Sequence, residues 1–461
     1  MHTFGEAKVK RFFRHRFVSL TTAAMAIAFG AAVFAPAQSE SVDTQSSTPA
    51  LASATSPEAV GFDSTRLQRL DDYMAGFVAE GQVAGMTTLL ARHGQVVEFR
   101  TYGKASLATG EPMKKDTIFR IYSMTKPITG VAMMILFEEG KWRLDEPITR
   151  YIPEFNNLKV VKSINADGSV ELEDIRRPPT FRELMSHTAG FGYGLSDRNP
   201  VDRLYRENHV LTSESLQQMI DRTATIPLKF QPGASWAYSS AAEIQGYIIE
   251  QLSGQKLSAF LAERIFEPLG MSDTAFYTGP EKGARLAAIY QYDPDQGKLV
   301  ELRKLFEMDM PDFTRPPAVE SGGGGLVSTT MDYARFAQMI ANKGELDGVR
   351  ILSPASVELM GTNMIPAQAS VFDDGVSTVL LNETTGFGLD FRVLKDARAA
   401  GTLVGNGTMS WGGAGGTWFW IDPDNDVIFV GMLQRIGLSG RDSLAPVAQT
   451  LTYQALVHPE R

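Results

Sequence analysis

From Phe62 to about Glu80 the apolar residues Leu67, Leu70, Met74 and Phe77 recur at spacings of three and four. That period predicts one amphipathic helix with a single buried face. The pattern then changes. Residues 85–91 and 96–102 are strand-like apolar runs separated by Arg92-His93-Gly94-Gln95, which reads as a hairpin. Near the other end, 417–421 and 427–433 have the same character, with Asp422-Pro423-Asp424-Asn425-Asp426 as the turn between them. A last helical stretch runs from about Ser443 to Leu456. Between about 120 and 345 helical patterns interrupted by loops dominate, and 166–177 is a polar, charged excursion. Sheet-forming segments at both ends with helices between them predict an α+β fold. One antiparallel sheet is expected from 59–120 and 346–461, with flanking helices, and a mostly helical lobe from 121–345 is inserted in it. Clefts between such lobes are common binding sites.

The first 37 residues read as an address. A basic stretch up to Arg16 precedes the apolar run 17–34 and then Ala35-Pro36-Ala37, the three parts of a secretory signal peptide. The run is near the length of a membrane span, but Thr21, Thr22, Ala23 and Gly30 dilute it, so cleavage near Ala37 is expected rather than a retained anchor. Residues 38–58, rich in Ser, Thr, Ala and Pro, are expected to be a disordered tether. The mature domain, 59–461, is then exported to a periplasm or the medium without stable membrane insertion.

Charge and composition narrow the chemistry. Residues 1–37 carry five basic residues against one acidic, so their removal takes the formal net charge from -9 to -13. A surface that acidic disfavours nucleic acid and anionic lipid as partners. The chain has 0 cysteines, which excludes disulfides, a thiol nucleophile, cysteine-bound zinc and a lipidated cysteine. No H-E-x-x-H or comparable pair occurs, so no metal or other cofactor is expected. The glycine run 322–325 lacks a following Lys-Ser/Thr and is no phosphate loop. No G-x-S-x-G occurs either, which argues against an ordinary α/β-hydrolase.

The informative stretch is Phe119-Arg120-Ile121-Tyr122-Ser123-Met124-Thr125-Lys126-Pro127, followed by the apolar run 128–137. Proline fits only the first turn of a helix, so Pro127 places a helix start close to Ser123. An all-round apolar continuation marks that helix as buried. Ser123 and Lys126, at i and i+3, then share a face within side-chain reach. A helix N-terminus offers N–H groups where an oxyanion would form. Burial disfavours an ammonium there, the condition under which a lysine serves as base. Ser-x-x-Lys alone is a weak pattern, and its placement is what gives it weight.

With these residues the chain resembles the serine β-lactamase and penicillin-binding protein superfamily, and in particular the esterases of carboxylesterase family VIII. The resemblance spans about residues 57–457. Besides 119–126, Thr180-Phe181-Arg182-Glu183-Leu184-Met185-Ser186-His187-Thr188-Ala189-Gly190-Phe191 resembles the LLSHTSGL segment of the group. Gln231-Pro232-Gly233-Ala234-Ser235-Trp236-Ala237-Tyr238-Ser239-Ser240 resembles its PG-x-x-W-x-YSN segment, and 321–329 matches a further shared stretch. The resemblance implies that Tyr238 relays protons between Ser123, Lys126 and the leaving group. Ser240 stands where Asn is usual and is shorter, so a substrate contact there is weakened. Trp411-Gly412-Gly413 stands at the third motif, where β-lactamases carry Lys-Thr-Gly. Tryptophan cannot bind the carboxylate that such a lysine would. The glycines still let a strand edge approach substrate, which makes Ala414 N–H the expected second oxyanion donor after that of Ser123. His187 is not expected to act as base.

These residues point to a serine hydrolase of small-molecule carboxylic esters, of short acyl chain, working through an acyl-serine. A β-lactamase or D-amino-acid peptidase and an acyltransferase are the enzymatic alternatives. A ligand-binding module on the same scaffold is the non-catalytic one. The sequence leaves the oligomeric state open.

Overall fold

The computed structural model describes residues 51–165, 168–305, 308–438 and 443–460. The expected signal peptide and most of the expected tether lie outside these residues. The described chain belongs to one compact unit. Its spine is a sheet of eight strands: β1 (Ala52–Ser53), β2 (Gly85–Arg92), β3 (Gln95–Gly103), β4 (Thr385–Phe387), β5 (Arg392–Leu394), β6 (Met409–Gly412), β7 (Trp418–Asp422) and β8 (Val427–Leu433). They lie in the order β1-β3-β2-β8-β7-β6-β5-β4, and all neighbours are antiparallel except β1 and β3. The two chain ends meet where β2 pairs with β8, from Met86 opposite Leu433 to Arg92 opposite Val427.

Period-two alternation sorts the central side chains between two cores. Leu90, Trp418, Trp420 and Phe429 face α1 (Ser64–Ala79), which supplies Leu67, Leu70 and Met74, and α5 (Ala445–Tyr453). Leu89, Phe419, Ile421, Ile428 and Val430 face the other way, into the larger core. That core holds α2 (Thr125–Glu138), α3 (Ala241–Ser253) and α4 (Thr330–Ala341). Every residue of β2, β7 and β8 is buried. A sheet covered on both faces reads as continuous apolar runs, which is why these strands were legible. The β2–β3 hairpin turns through His93 and Gly94, with φ of 51° and 69°, the paired left-handed residues of a tight hairpin turn.

Two expectations are revised. Residues 51–58 are ordered, not tether: Leu51 is buried and β1 adds an edge strand beside β3. The lobe boundary at 345 also shifts, because α4 packs on β2, β7 and β8, with Tyr333 against Phe419 at 5.0 Å. On the other side, Ser370–Val371 pairs with Ser235–Trp236 inside the helical region. A hydrophobic period shows that an element has a buried face but not which layer buries it. The excursion 166–177 is the far side of an exposed hairpin, Lys159–Ile164 with Val170–Asp174; residues 166–167 lie outside the described residues. Among the described residues no helix is long and apolar enough to cross a membrane.

Candidate active site

Ser123 sits in a short 3-10 turn, Tyr122–Met124, that runs directly into α2. Tyr122 has φ of 43°, a left-handed conformation costly for an aromatic residue. Residues 125–136 of α2 are all buried, with Pro127 in the first turn as expected. Lys126 is fully buried while Ser123 remains partly accessible.

The side chains converge. Tyr238 Oη donates to Ser123 Oγ at 2.7 Å, and Lys126 Nζ lies 3.4 Å from the same oxygen. The lysine donates also to the Gly323 carbonyl at 2.7 Å and to Tyr193 Oη at 3.0 Å. Its Nζ lies 4.7 Å from the Tyr238 ring centre and 4.8 Å from that of Tyr193. Tyr193 donates onward to Glu243 Oε1 at 3.2 Å, which Ser321 Oγ also reaches at 2.8 Å. Burial, with the Glu243 carboxylate beside it, holds the Tyr193 phenol well above its ordinary range. It therefore stays a donor to Glu243 while accepting from Lys126.

Tyr193, Glu243 and Gly323 were not anticipated. The signal was present: Glu243 is an acid in the first turn of the buried α3, which must have a partner. The glycine run is a close backbone approach. A Cβ on Gly323 would stand 2.4 Å from Glu243 Oε1, and one on Gly322 would stand 2.4 Å from the Ala242 carbonyl.

The third segment closes the other side. Trp411, at the end of β6, packs on Tyr238 at 5.5 Å and on Phe387 at 5.3 Å between ring centres. The turn after Gly412 lies against the segment before Ser123: a Cβ on Gly413 would meet the Ile121 carbonyl at 2.3 Å, and one on Gly415 the Tyr122 ring at 3.1 Å. Gly413 N–H is spent on Thr417 O at 2.7 Å, whereas the exposed Ala414 donates its N–H to no partner among the described residues. Ser240 is buried at the start of α3, its hydroxyl donating to Tyr205 Oη at 3.4 Å.

His187 is buried, with φ of 57°. Its Nδ1 accepts the backbone N–H of Ser239 at 3.2 Å and meets Ser239 Oγ at 2.7 Å. Burial, and then the charge of Lys126, hold its pKa well below the ordinary imidazole value, so it stays neutral. It packs edge-on to Phe387 and tilted against Tyr238, which makes it a wall. Among the described residues no group of three or more His, Asp or Glu could hold a metal ion.

The α+β scaffold thus brings together an accessible serine at a helix start, a buried lysine and a tyrosine beside a glycine-rich strand end. The β-lactamase family description matches residues 70–453, and the chain belongs to that family, in the superfamily of serine β-lactamases and penicillin-binding proteins. It is thereby placed among hydrolases. Protein Rv1367c of Mycobacterium tuberculosis is 34% identical over 372 residues, covering 80% of this chain and 90% of that one. Esterase EstB of Burkholderia gladioli is 33% identical over 388 residues, covering 80% and 91%. Among solved structures, EstCE1, described as a hydrolase with promiscuous acyltransferase activity, superposes with a TM-score of 0.71 at 26% identity, over 86% of this chain and 99% of that chain.

Proposed function

We propose that the protein hydrolyses carboxylic esters of short acyl chain through an acyl intermediate on Ser123. The observation that carries this is the 2.7 Å contact of Tyr238 Oη with Ser123 Oγ, together with Lys126 Nζ 3.4 Å from that oxygen. With Lys126 as the free amine, the serine proton passes to it through Tyr238, whose own phenol proton moves on to the amine, as Oγ attacks the ester carbonyl. The N–H groups of Ser123 and Ala414 hold the oxyanion, the alcohol leaves with the relayed proton, and water releases the acid. Trp411 in place of a lysine leaves the strand end with an aromatic face and no cation for a substrate carboxylate, which favours neutral esters over β-lactams or peptides. The resemblance to an enzyme named esterase at 33% identity supports the same choice.

The test is turnover of nitrophenyl acetate, butyrate and octanoate against nitrocefin, with Ser123→Ala as control. Ester cleavage abolished by the substitution, with little nitrocefin turnover, is the expected result. Failure of a fluorophosphonate to label Ser123 would leave a ligand-binding module instead. Acyl transfer to an alcohol is the second reading, favoured by the description of EstCE1; added methanol yielding methyl ester would reveal it. The reading also has residues 1–37 removed on export, which N-terminal sequencing of the exported protein checks.

A further inference from the structure

Outside the reacting groups lies a buried ion cluster that the proposed chemistry does not use. Lys229 Nζ is 2.7 Å from Asp202 Oδ2 and 2.8 Å from Asp374 Oδ2, and all three side chains are 1% exposed. One ammonium between two carboxylates leaves a net negative charge in the interior. Buried ion groups of this kind are often replaceable by apolar residues without loss of stability, so stability alone is a poor account of it.

The remaining contacts show what the cluster joins. Asp202 Oδ1 accepts the backbone N–H groups of Tyr193 at 2.8 Å and Gly194 at 2.7 Å. The backbone N–H of Lys229 donates to the Gly190 carbonyl at 2.7 Å, three residues before Tyr193. On the other side, Asp374 Oδ1 accepts from the backbone of Val376 at 3.0 Å and Ser377 at 2.8 Å, and its Oδ2 accepts from Ser377 Oγ at 3.1 Å. Ser377 Oγ in turn accepts the backbone N–H of Tyr238 at 3.0 Å. Ser196 Oγ closes the ring on the Asp374 carbonyl at 2.5 Å. Although burial opposes it, Lys229 and these hydrogen bonds hold the Asp374 carboxyl below its ordinary range, so it remains an acceptor. The segments 190–199 and 372–376 belong to no helix or strand. Arg206 also holds the first through the Gly194 and Ser196 carbonyls at 2.8 and 3.0 Å, and the Trp236 carbonyl holds the second through Phe372 N–H at 2.8 Å. Neither of these contacts joins the two segments, as the Lys229 ammonium does.

We infer that Lys229 is a positioning residue for the Ser123 site. Its ammonium ties the segment carrying Tyr193 to the segment whose Ser377 anchors the backbone of Tyr238, setting both tyrosines at fixed distances from Lys126. The inference rests on the reading of Ser123, Lys126 and Tyr238 as the reacting set. Displacing a reacting group by an ångström costs up to about a hundredfold in rate. Lys229→Met should therefore lower kcat on nitrophenyl acetate by about tenfold or more, with KM nearly unchanged because no substrate contact is removed.

The experiment measures kcat and KM for Lys229→Met, Ser377→Ala and the double variant, well below each melting temperature, with Ser123→Ala alongside. Ser377→Ala leaves the ion cluster intact and cuts the chain of contacts one step from Tyr238, so it decides the matter if Lys229→Met does not fold. Expected are lower kcat in both single variants and a double variant no worse than the poorer single, since both act along one path. Folded variants that melt earlier but keep kcat within about twofold, a change near the scatter of additive effects, would make the cluster merely structural and overturn the inference. Turnover surviving Ser123→Ala would overturn the site reading itself, and the positioning role with it.

Discussion

Asp390 offers a quantitative test of how the interior around Lys126 is built. It lies just beyond β4, fully buried and with φ of 63°. Its Oδ1 accepts from Gln245 Nε2 at 3.2 Å, while Oδ2 has no partner and abuts Gly130 of α2, where a Cβ would come within 2.9 Å. Burial outweighs the Gln245 hydrogen bond and the charge of Lys126, and pushes the carboxyl from 3.8 up to about 8. Between about pH 4 and 8 the folded protein thus holds a proton that the unfolded chain has already lost. Stability must fall as pH rises through that window, by about 1.4 kcal/mol per pH unit, reaching about 4 kcal/mol at pH 7, and level off above the folded pKa. Asp390→Asn keeps the shape, the acceptor for Gln245 and tolerance of the left-handed backbone, and removes the titration. Urea unfolding followed by circular dichroism at pH 5, 6, 7 and 8 should show the variant gaining on the wild type with each step up to pH 7. Parallel pH profiles for the two proteins would refute the reasoning.

The remaining predictions concern the site. Lys126→Met should abolish ester turnover, by at least about a thousandfold, with the fold retained in circular dichroism; substantial residual activity would remove lysine from the proton path. Tyr193→Phe removes one of the acceptors of Lys126 and one of the donors to Glu243, so kcat should drop about tenfold while KM stays near its original value; an unchanged kcat would mean that Gly323 and Ser321 suffice. Gly413→Ala forces a Cβ to within 2.3 Å of the Ile121 carbonyl. The β6–β7 turn must then move off the Ser123 segment, and the loss should appear in kcat more than in melting temperature.

How far the sequence could be read depended on how local the controlling physics was. The strands 85–92 and 427–433 announce themselves because both faces are buried, and α2 because Pro127 and its apolar run mark its start. Ser123, Lys126 and Tyr238 were recoverable from short motifs, and the structure brings them together. Tyr193 was not, since its role depends on a tertiary approach to Lys126 that no spacing encodes. Leu51 gave no sign of order, because a two-residue edge strand has no period and is held only by β3. Nothing in the sequence singles out Lys229, because the two aspartates that enclose it are distant in the chain. Ser240 was assigned by its place in a motif, and its hydroxyl contact with Tyr205 is a tertiary one that the motif does not encode.

The pairing of β2 with β8 governs when this protein can exist at all. Arg92 and Val427 lie side by side, yet about 335 residues of synthesis separate them, roughly 20 to 70 seconds of elongation at ordinary rates. Throughout that interval β2 lacks the neighbour that covers one of its edges, and the layer of α1 against Trp420 and Phe429 cannot form. The nascent chain is therefore obliged to wait, unfinished, for its final tenth, and a ribosome that stops before β8 releases a polypeptide whose two groups of strands lack the one that joins them.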